Sequence, residues 1–148
     1  MQIRAYQEPD EAQVVALWQA CGLTRPWNDP YKDIARKLTV QRELFLVGEL
    51  DSAVVATVMA GFEGHRGWVN YLAVVPALRG RGYGAALMNV VEGRFTQAGC
   101  PKVNLLVRST NTAVLDFYRR LGYAPDEAIP LGKRLIPDAS TEPLAGNA

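Results

Sequence analysis

Residues 68–86 read WVNYLAVVPALRGRGYGAA, and the order of residue types within them decides the fold. An apolar run suited to a strand is cut by Pro76, and glycines then alternate with two arginines where a helix must begin. The first turn of a helix leaves backbone N–H groups without partners inside the helix and carries the positive end of its dipole. Glycines at 80, 82 and 84 take away the side chains that would keep a bulky anion off those amides. Arg79 and Arg81 add positive charge at the same place, where it opposes the dipole unless an anion is bound. The stretch predicts a strand–loop–helix that grips a phosphate-bearing ligand, with a pyrophosphate as the best match.

On the N-terminal side, residues 3–6 read as a short strand. Asp10 is placed to cap a helix with Gln13 as its box partner. Val14, Leu17, Trp18 and Cys21 then fall at i, i+3, i+4 and i+7, one apolar helical face, and Gly22 stops it. A second helix takes Asp29 as cap and Pro30 as first residue, burying Ile34 and Leu38. Strands are expected at 44–50, 54–62 and 68–75, joined by links too short for a crossover and so forming an antiparallel meander.

On the C-terminal side, a helix carries Leu87, Met88, Val91, Phe95 and Ala98 inward and ends near Gly99. A strand at 103–107 follows, parallel to 68–75 because a helix separates the two. Val114, Phe117, Tyr118 and Leu121 form the apolar face of a last helix, and residues 123–136 are expected to supply one or two closing strands. The fold class is α+β, a mixed sheet with helices on both faces.

Composition sets bounds. The chain has 148 residues, 49% of them hydrophobic, which fits a single domain, expected over residues 1–136. Residues 137–148, PDASTEPLAGNA, are small, polar and punctuated by proline, and a disordered tail is expected there. With 16 basic against 15 acidic residues there is no global charge for nucleic acid, and basic character is local to the arginine loop. Cys21 and Cys100 have no metal or disulfide spacing and read as free thiols. No signal peptide or membrane span is visible, so a cytoplasmic protein, monomer or homodimer, is expected, with no metal.

Three phosphate-binding designs compete for the loop. A Walker loop needs Gly-Lys-Ser/Thr, which is absent. The run from Gly80 to Ala85 satisfies G-x-G-x-x-A, but it follows a meander and leaves too little chain for two mononucleotide-binding halves. The third design is Arg79-x-x-Gly82-x-Gly84, the form Q/R-x-x-G-x-G/A. Together with Leu72-Ala73-Val74-Val75-Pro76 and the later Asn111, Ala113, Tyr118 and Gly122-Tyr123, it resembles the GNAT superfamily of N-acetyltransferases. Arg25-Pro26-Trp27-Asn28-Asp29-Pro30, Gly64-His65-Arg66-Gly67 and Leu131-Gly132-Lys133-Arg134-Leu135 are similar to the small bacterial members called YpeA.

The resemblance implies a mixed, mostly antiparallel central sheet in which two parallel strands splay apart in the middle. It also implies acetyl-CoA as acetyl donor, its pantetheine lying in that gap. Leu72, Ala73 and Val74 would face pantetheine, and the amides of Arg79, Gly80, Arg81, Gly82, Tyr83, Gly84 and Ala85 would hold the diphosphate. Asn111, Phe117 and Arg120 would line the cofactor path. The implied activity is direct transfer of acetyl to a primary amine of a small metabolite, a protein N-terminus or a lysine, in a ternary complex. Attack of a neutral amine on a thioester is helped by a base, an oxyanion donor and an acid for the departing thiolate. The resemblance makes Tyr118 the acid and the Val74 N–H the oxyanion donor.

For the base, Trp68 and Leu106 occupy the strand positions where a carboxylate is expected, leaving Glu63 and Asn104 as substitutes beside a water chain or an amine arriving deprotonated. The loop between the first two helices should wall the acceptor pocket, with Trp27 as a platform and Asn28 and Asp29 as polar anchors. Plainer readings stand beside these. Tyr118 fits a core position, Asn111 and Asp29 fit helix caps, Trp27 fits a hydrophobic plug, and His65 fits a hairpin turn. Lacking a carboxylate base, the domain also fits a non-catalytic acyl-CoA sensor.

Overall fold

The computed structural model describes residues 1–139. Five strands form one sheet in chain order: β1 (Gln2–Ala5), β2 (Phe45–Leu50), β3 (Ala53–Phe62), β4 (Gly67–Val74) and β5 (Val103–Leu105). The first four pair antiparallel, and β4 and β5 pair parallel. Helices α1 (Glu11–Ala20) and α2 (Pro30–Lys37) precede β2, α3 (Tyr83–Gln97) bridges β4 to β5, and α4 (Thr112–Arg120) follows.

The helices cover both faces, as the apolar spacings require. Val14, Val15, Leu17 and Trp18 of α1 and Ile34 of α2 pack with Phe45, Val47 and Val54. Leu87, Met88, Val91 and Phe95 of α3 and Tyr118 of α4 pack with Leu46, Val58 and Val69 on the other face. The link between β2 and β3 puts Asp51 and Ser52 at φ 49° and 63°, the left-handed pair of a tight hairpin turn.

The feature that shapes the site is a bulge in β4. Thr57 pairs with Ala73 and Met59 with Asn70, so Val58 stands opposite both Tyr71 and Leu72. Tyr71 takes a left-handed φ of 52°, a strain of about 1–2 kcal/mol for a residue with a side chain. Its ring stacks on Trp18 at 3.7 Å between centroids, and its carbonyl accepts a hydrogen bond from the Thr57 hydroxyl at 2.9 Å. Thr57 Oγ1 in turn accepts from the Trp18 indole N–H at 2.9 Å. A ring stack of about 0.5–1.5 kcal/mol and hydrogen bonds of about 1 kcal/mol offset that strain.

The bulge also opens the sheet. Parallel pairing with β5 covers only Gly67, Trp68 and Val69, while β4 runs on to Val74. Beyond Val69 the two strands part, and the gap between them is the place a ligand can enter.

Four expectations are corrected. The closing strands expected over 123–136 are absent among the described residues, so the parallel pair ends the sheet and does not lie in its middle. Pro125 and Pro130 remove ladder donors there, and Ile129, Leu131, Leu135 and Ile136 stay exposed. Asp10 does not cap α1 with its side chain. It accepts from the Gln7 N–H at 2.9 Å and from Arg4, while Gln13 accepts from the Val54 N–H at 3.0 Å. Ala98 is the exposed C-cap of α3, and β5 stops at Leu105 with Leu106 62% exposed. Asp138, beyond the domain end expected at 136, is docked on α2, and the remainder of the expected tail, 140–148, lies outside the described residues.

Candidate active site

The glycine loop forms as its sequence requires. After a short turn over Pro76–Leu78, Gly80 and Gly82 adopt φ 79° and 84°, and Gly82 is the N-cap of α3. Only glycine takes such angles without strain. Space in front of both is open, since a Cβ at either position would meet nothing within 4 Å. At Gly84 the reason differs: a Cβ would lie 3.2 Å from Phe117 Cζ, so this glycine lets α4 close on the start of α3. Arg79 N–H bonds Pro76 C=O at 3.3 Å, and the next amide to close a backbone bond among the described residues is Ala86, to Gly82 C=O at 3.0 Å. The amides from 80 to 85 are therefore free, beside the exposed side chains of Arg79 and Arg81. Free amides at a helix start with open space in front of them suit an anionic group.

A cavity of about 960 Å³ runs along the opening between β4 and β5, and no residue of the glycine loop lines it. Asn70, Tyr71 and Leu72 line one side, and Leu105, Leu106, Val107 and Arg108 the other. Val75 N–H bonds Val55 C=O at 2.8 Å, and Ala56 pairs with Val74, so by strand alternation the Val74 amide turns away from β3 toward the opening. Its carbonyl accepts from Cys21 Sγ at 3.3 Å. Tyr118, 7% exposed, packs edge-on against Phe117 and Tyr123 and lines the same cavity. Burial pushes its phenol up to about 12, so it stays protonated at neutral pH. Asn111 also lines the cavity, and its side chain caps α4 by accepting from Val114 N–H at 3.3 Å.

The other end of the cavity is built from side chains. Asn28 N–H bonds Arg25 C=O at 3.0 Å, closing a turn whose Arg25, Trp27 and Asn28 all line the wall. On α2, Asp33, Arg36 and Lys37 occupy i, i+3 and i+4, one face of the helix, and all three line the cavity. Asp33 Oδ2 accepts from the Tyr71 hydroxyl at 2.7 Å, and its Oδ1 from Arg36 at 3.1 Å. Burial, then the hydrogen bond to Asp33, hold the Tyr71 phenol well above its ordinary value. The chain after α4 returns here: Pro130, Leu131 and Gly132 line the cavity, and Arg134 donates to Asn28 Oδ1 at 2.5 Å. Asp138 Oδ2 accepts from the Asp29 N–H at 2.7 Å, and its Oδ1 from Arg36 at 2.5 Å.

The expected residues divide accordingly. Leu72, Asn111 and Tyr118 meet in the cavity with Trp27 and Asn28. Phe117 lies against Gly84 at the cradle, the Ala73 side chain is buried on the α1 side, and Arg120 is exposed at the end of α4. Asp29 is a helix cap, accepting from the Tyr31 and Lys32 amides, and does not line the cavity. Glu63 sits in the hairpin before β4, accepting from the His65 amide at 3.0 Å and from the Arg66 amide. The 8 residues of β4 separate it from the glycine loop, about 25 Å at strand rise, and it is not brought to the site. Asn104 pairs with Trp68 and donates to Asp126 at 2.7 Å, also away from the cavity wall. Missed from sequence were Asp33, Arg36, Tyr71 and the returning segment. The i, i+3, i+4 spacing of Asp33, Arg36 and Lys37 was the one available signal.

The order of these elements, with free amides at a helix start and a parallel pair that parts beyond Val69, is the order that the sequence resemblance implies. The model of the acetyltransferase (GNAT) family matches residues 8–123, and the chain belongs to that family and is an acyltransferase. Acetyltransferase YE1169 of Yersinia enterocolitica is 49% identical over 138 residues, covering 93% of this chain and 98% of that protein. Among solved structures, AAC(6')-Iy in complex with the bisubstrate analog CoA-S-monomethyl-acetylneamine superposes with a TM-score of 0.74 at 16% identity, over 91% of this chain and 98% of that one. The ribosomal-protein alanine N-acetyltransferase of Escherichia coli superposes with a TM-score of 0.68 at 20% identity, over 82% and 76%. At these identities the structural likenesses establish the fold.

Proposed function

We propose that the protein transfers acetyl from acetyl-CoA directly to a primary amine bound at the far end of the same cavity. One observation carries the reading: the free amides from 80 to 85 follow directly on β4, and the same strand lines the cavity in which the buried Tyr118 phenol and the α2 face meet. When bound, acetyl-CoA supplies the acetyl group as a thioester. The amides and the arginines Arg79 and Arg81 hold its diphosphate, and the gap beside Leu72 and Val74 takes pantetheine in place of a strand. Val74 N–H aims a donor into the gap, where negative charge develops on the acyl oxygen. Tyr118 gives its proton to the departing sulfur, a transfer matched to a phenol that is neutral at working pH, and the proton that the attacking amine sheds passes to water and restores the phenol.

Asp33 replaces Asp29 as the carboxylate for the amine. Tyr71 and Arg36 fix its orientation, and the lone pairs they leave can receive an N–H of the acceptor. The bisubstrate analog in AAC(6')-Iy, which joins CoA to an acetylated amine in one molecule, supports simultaneous occupation of both ends in this fold. Cys21 and Cys100 are free thiols, suited to a reducing compartment such as the cytoplasm.

Replacing Tyr118 by Phe is expected to lower kcat by about 10–10³-fold with acetyl-CoA affinity nearly kept, the pattern of a lost general acid. Wild-type turnover in that variant removes Tyr118 from the mechanism. Binding of acetyl-CoA with no CoA release from any amine makes the protein a sensor instead.

A further inference from the structure

The charges along the cavity do not suit a purely cationic acceptor. Its wall carries Arg25, Arg36, Lys37 and Arg108 against a single carboxylate, Asp33. Arg36 is matched by Asp33 and Asp138, and Arg108 stands beside Asn111 toward the donor end. Arg25 and Lys37 remain at the acceptor end with no carboxylate within ion-pair distance among the described residues. Lys37 donates to the Ala60 carbonyl at 2.5 Å, and burial holds its ammonium below its ordinary value, Glu43 opposing this. Arg25 spends Nη1 on the carbonyls of Gly22 and Thr24, at 2.7 and 3.0 Å, which leaves its Nε and Nη2 donors for another partner.

The Arg25 donors are therefore the group on this turn that a ligand can use. A guanidinium with spare donors suits an oxyanion, and Asp33 of α2, on the wall of the same cavity, suits an ammonium or amine.

We infer that the acceptor is a small zwitterion, an amine bearing a carboxylate of the amino-acid kind, with its carboxylate on Arg25 and its amine toward Asp33. This rests on the acetyl-transfer reading for the role of the amine, but the recognition itself is a matter of binding. A polyamine or a lysine on an extended chain lacks the group that Arg25 awaits.

Calorimetry on the full chain saturated with CoA tests it. The probes are glycine, phenylalanine and lysine, each as free acid and as carboxamide, with spermidine as the cationic comparison. At least one acid is expected to bind about tenfold or more tighter than its amide, the scale of one charge-assisted hydrogen bond. In Arg25→Gln that ratio should collapse toward one. Equal binding of acid and amide, tighter binding of spermidine, or no heat from any acid overturns the inference. CoA release measured on the same panel separates the two readings. Release with spermidine or the amides alone leaves acetyl transfer standing and removes the zwitterion. Heat with the acids but no release with any amine does the reverse.

Discussion

The two ends of the proposed site are built from different materials. The donor end is backbone: free amides from 80 to 85, supplied by one contiguous stretch whose glycines stand where a Cβ would strain or collide. The acceptor end is side chain: Arg25, Trp27 and Asp33 from the first quarter of the chain, Tyr71 from the bulge, and Arg134 and Asp138 from the returning segment. Backbone recognition survives changes in surrounding side chains and depends on a few glycines. Side-chain recognition is assembled across more than a hundred positions and changes with any one of them. A common donor read by the first and a varied acceptor read by the second is what this division suits.

The comparison breaks most readily at Gly82. A β-branched residue there must adopt φ near the 84° that glycine holds, and its side chain would fill the space in front of the amides. Gly82→Val is expected to weaken acetyl-CoA binding by about 100-fold or more, the loss of two or more amide contacts to a charged group. Arg79→Ala, which removes an exposed charge and leaves the amides in place, should cost about tenfold or less. Isothermal titration with far-UV circular dichroism as a folding check decides the order. A larger loss at Arg79 would mean that side-chain charge, not backbone, holds the donor.

A smaller effect sharpens the other side of the division. Asp33→Asn keeps the shape that Tyr71 and Arg36 pack against but removes the charge facing the acceptor. The acceptor KM should rise by about 10–100-fold, the value of a hydrogen bond to a charged group, while acetyl-CoA affinity changes by no more than about twofold. Steady-state kinetics in both substrates measures the split. Equal losses on both would mean that the two ends act as one site.

The same contrast explains what the sequence disclosed. The loop was legible because its glycines and arginines are contiguous and the chemistry of a helix start dictates those residue types. The order of strands and helices was legible from periodicity, down to the short links Asp51-Ser52 and residues 63–67. Asp33 was not, because its meaning depends on Tyr71 reaching it from a bulge that no local pattern announces. Glu63 looked free in sequence and is engaged by the amides of its own turn. Residues 123–136 carry enough apolar side chains to suggest strands, yet the prolines leave them as a segment that crosses the cavity mouth, tied down by Asp126 at one end and Asp138 at the other.

That segment gives the smallest and most specific effect. The hydrogen bond from Arg36 holds the Asp138 carboxyl below its ordinary value of 3.8. A carboxyl depressed on folding stabilises the folded state at every pH above its unfolded value, and that contribution disappears as pH falls through the folded value. Asp138 is 1% exposed, but Arg36 is 47% exposed, so the pair is half open to water and worth about 1 kcal/mol or less. For a chain of this size that is about 2–4 °C in Tm. Wild type and Asp138→Asn should therefore differ by a few degrees from pH 7 down to about pH 4 and converge below it, where the wild-type carboxyl is protonated. Asp10, held low by Arg4, titrates in both proteins and cancels in the difference. Because Arg36 also holds Asp33, the variant should raise the acceptor KM as well, by less than Asp33→Asn does and with acetyl-CoA affinity unmoved. Melting curves that run parallel across the whole pH range would detach the returning segment from α2 and leave Arg36 and Tyr71 to support the acceptor carboxylate without it.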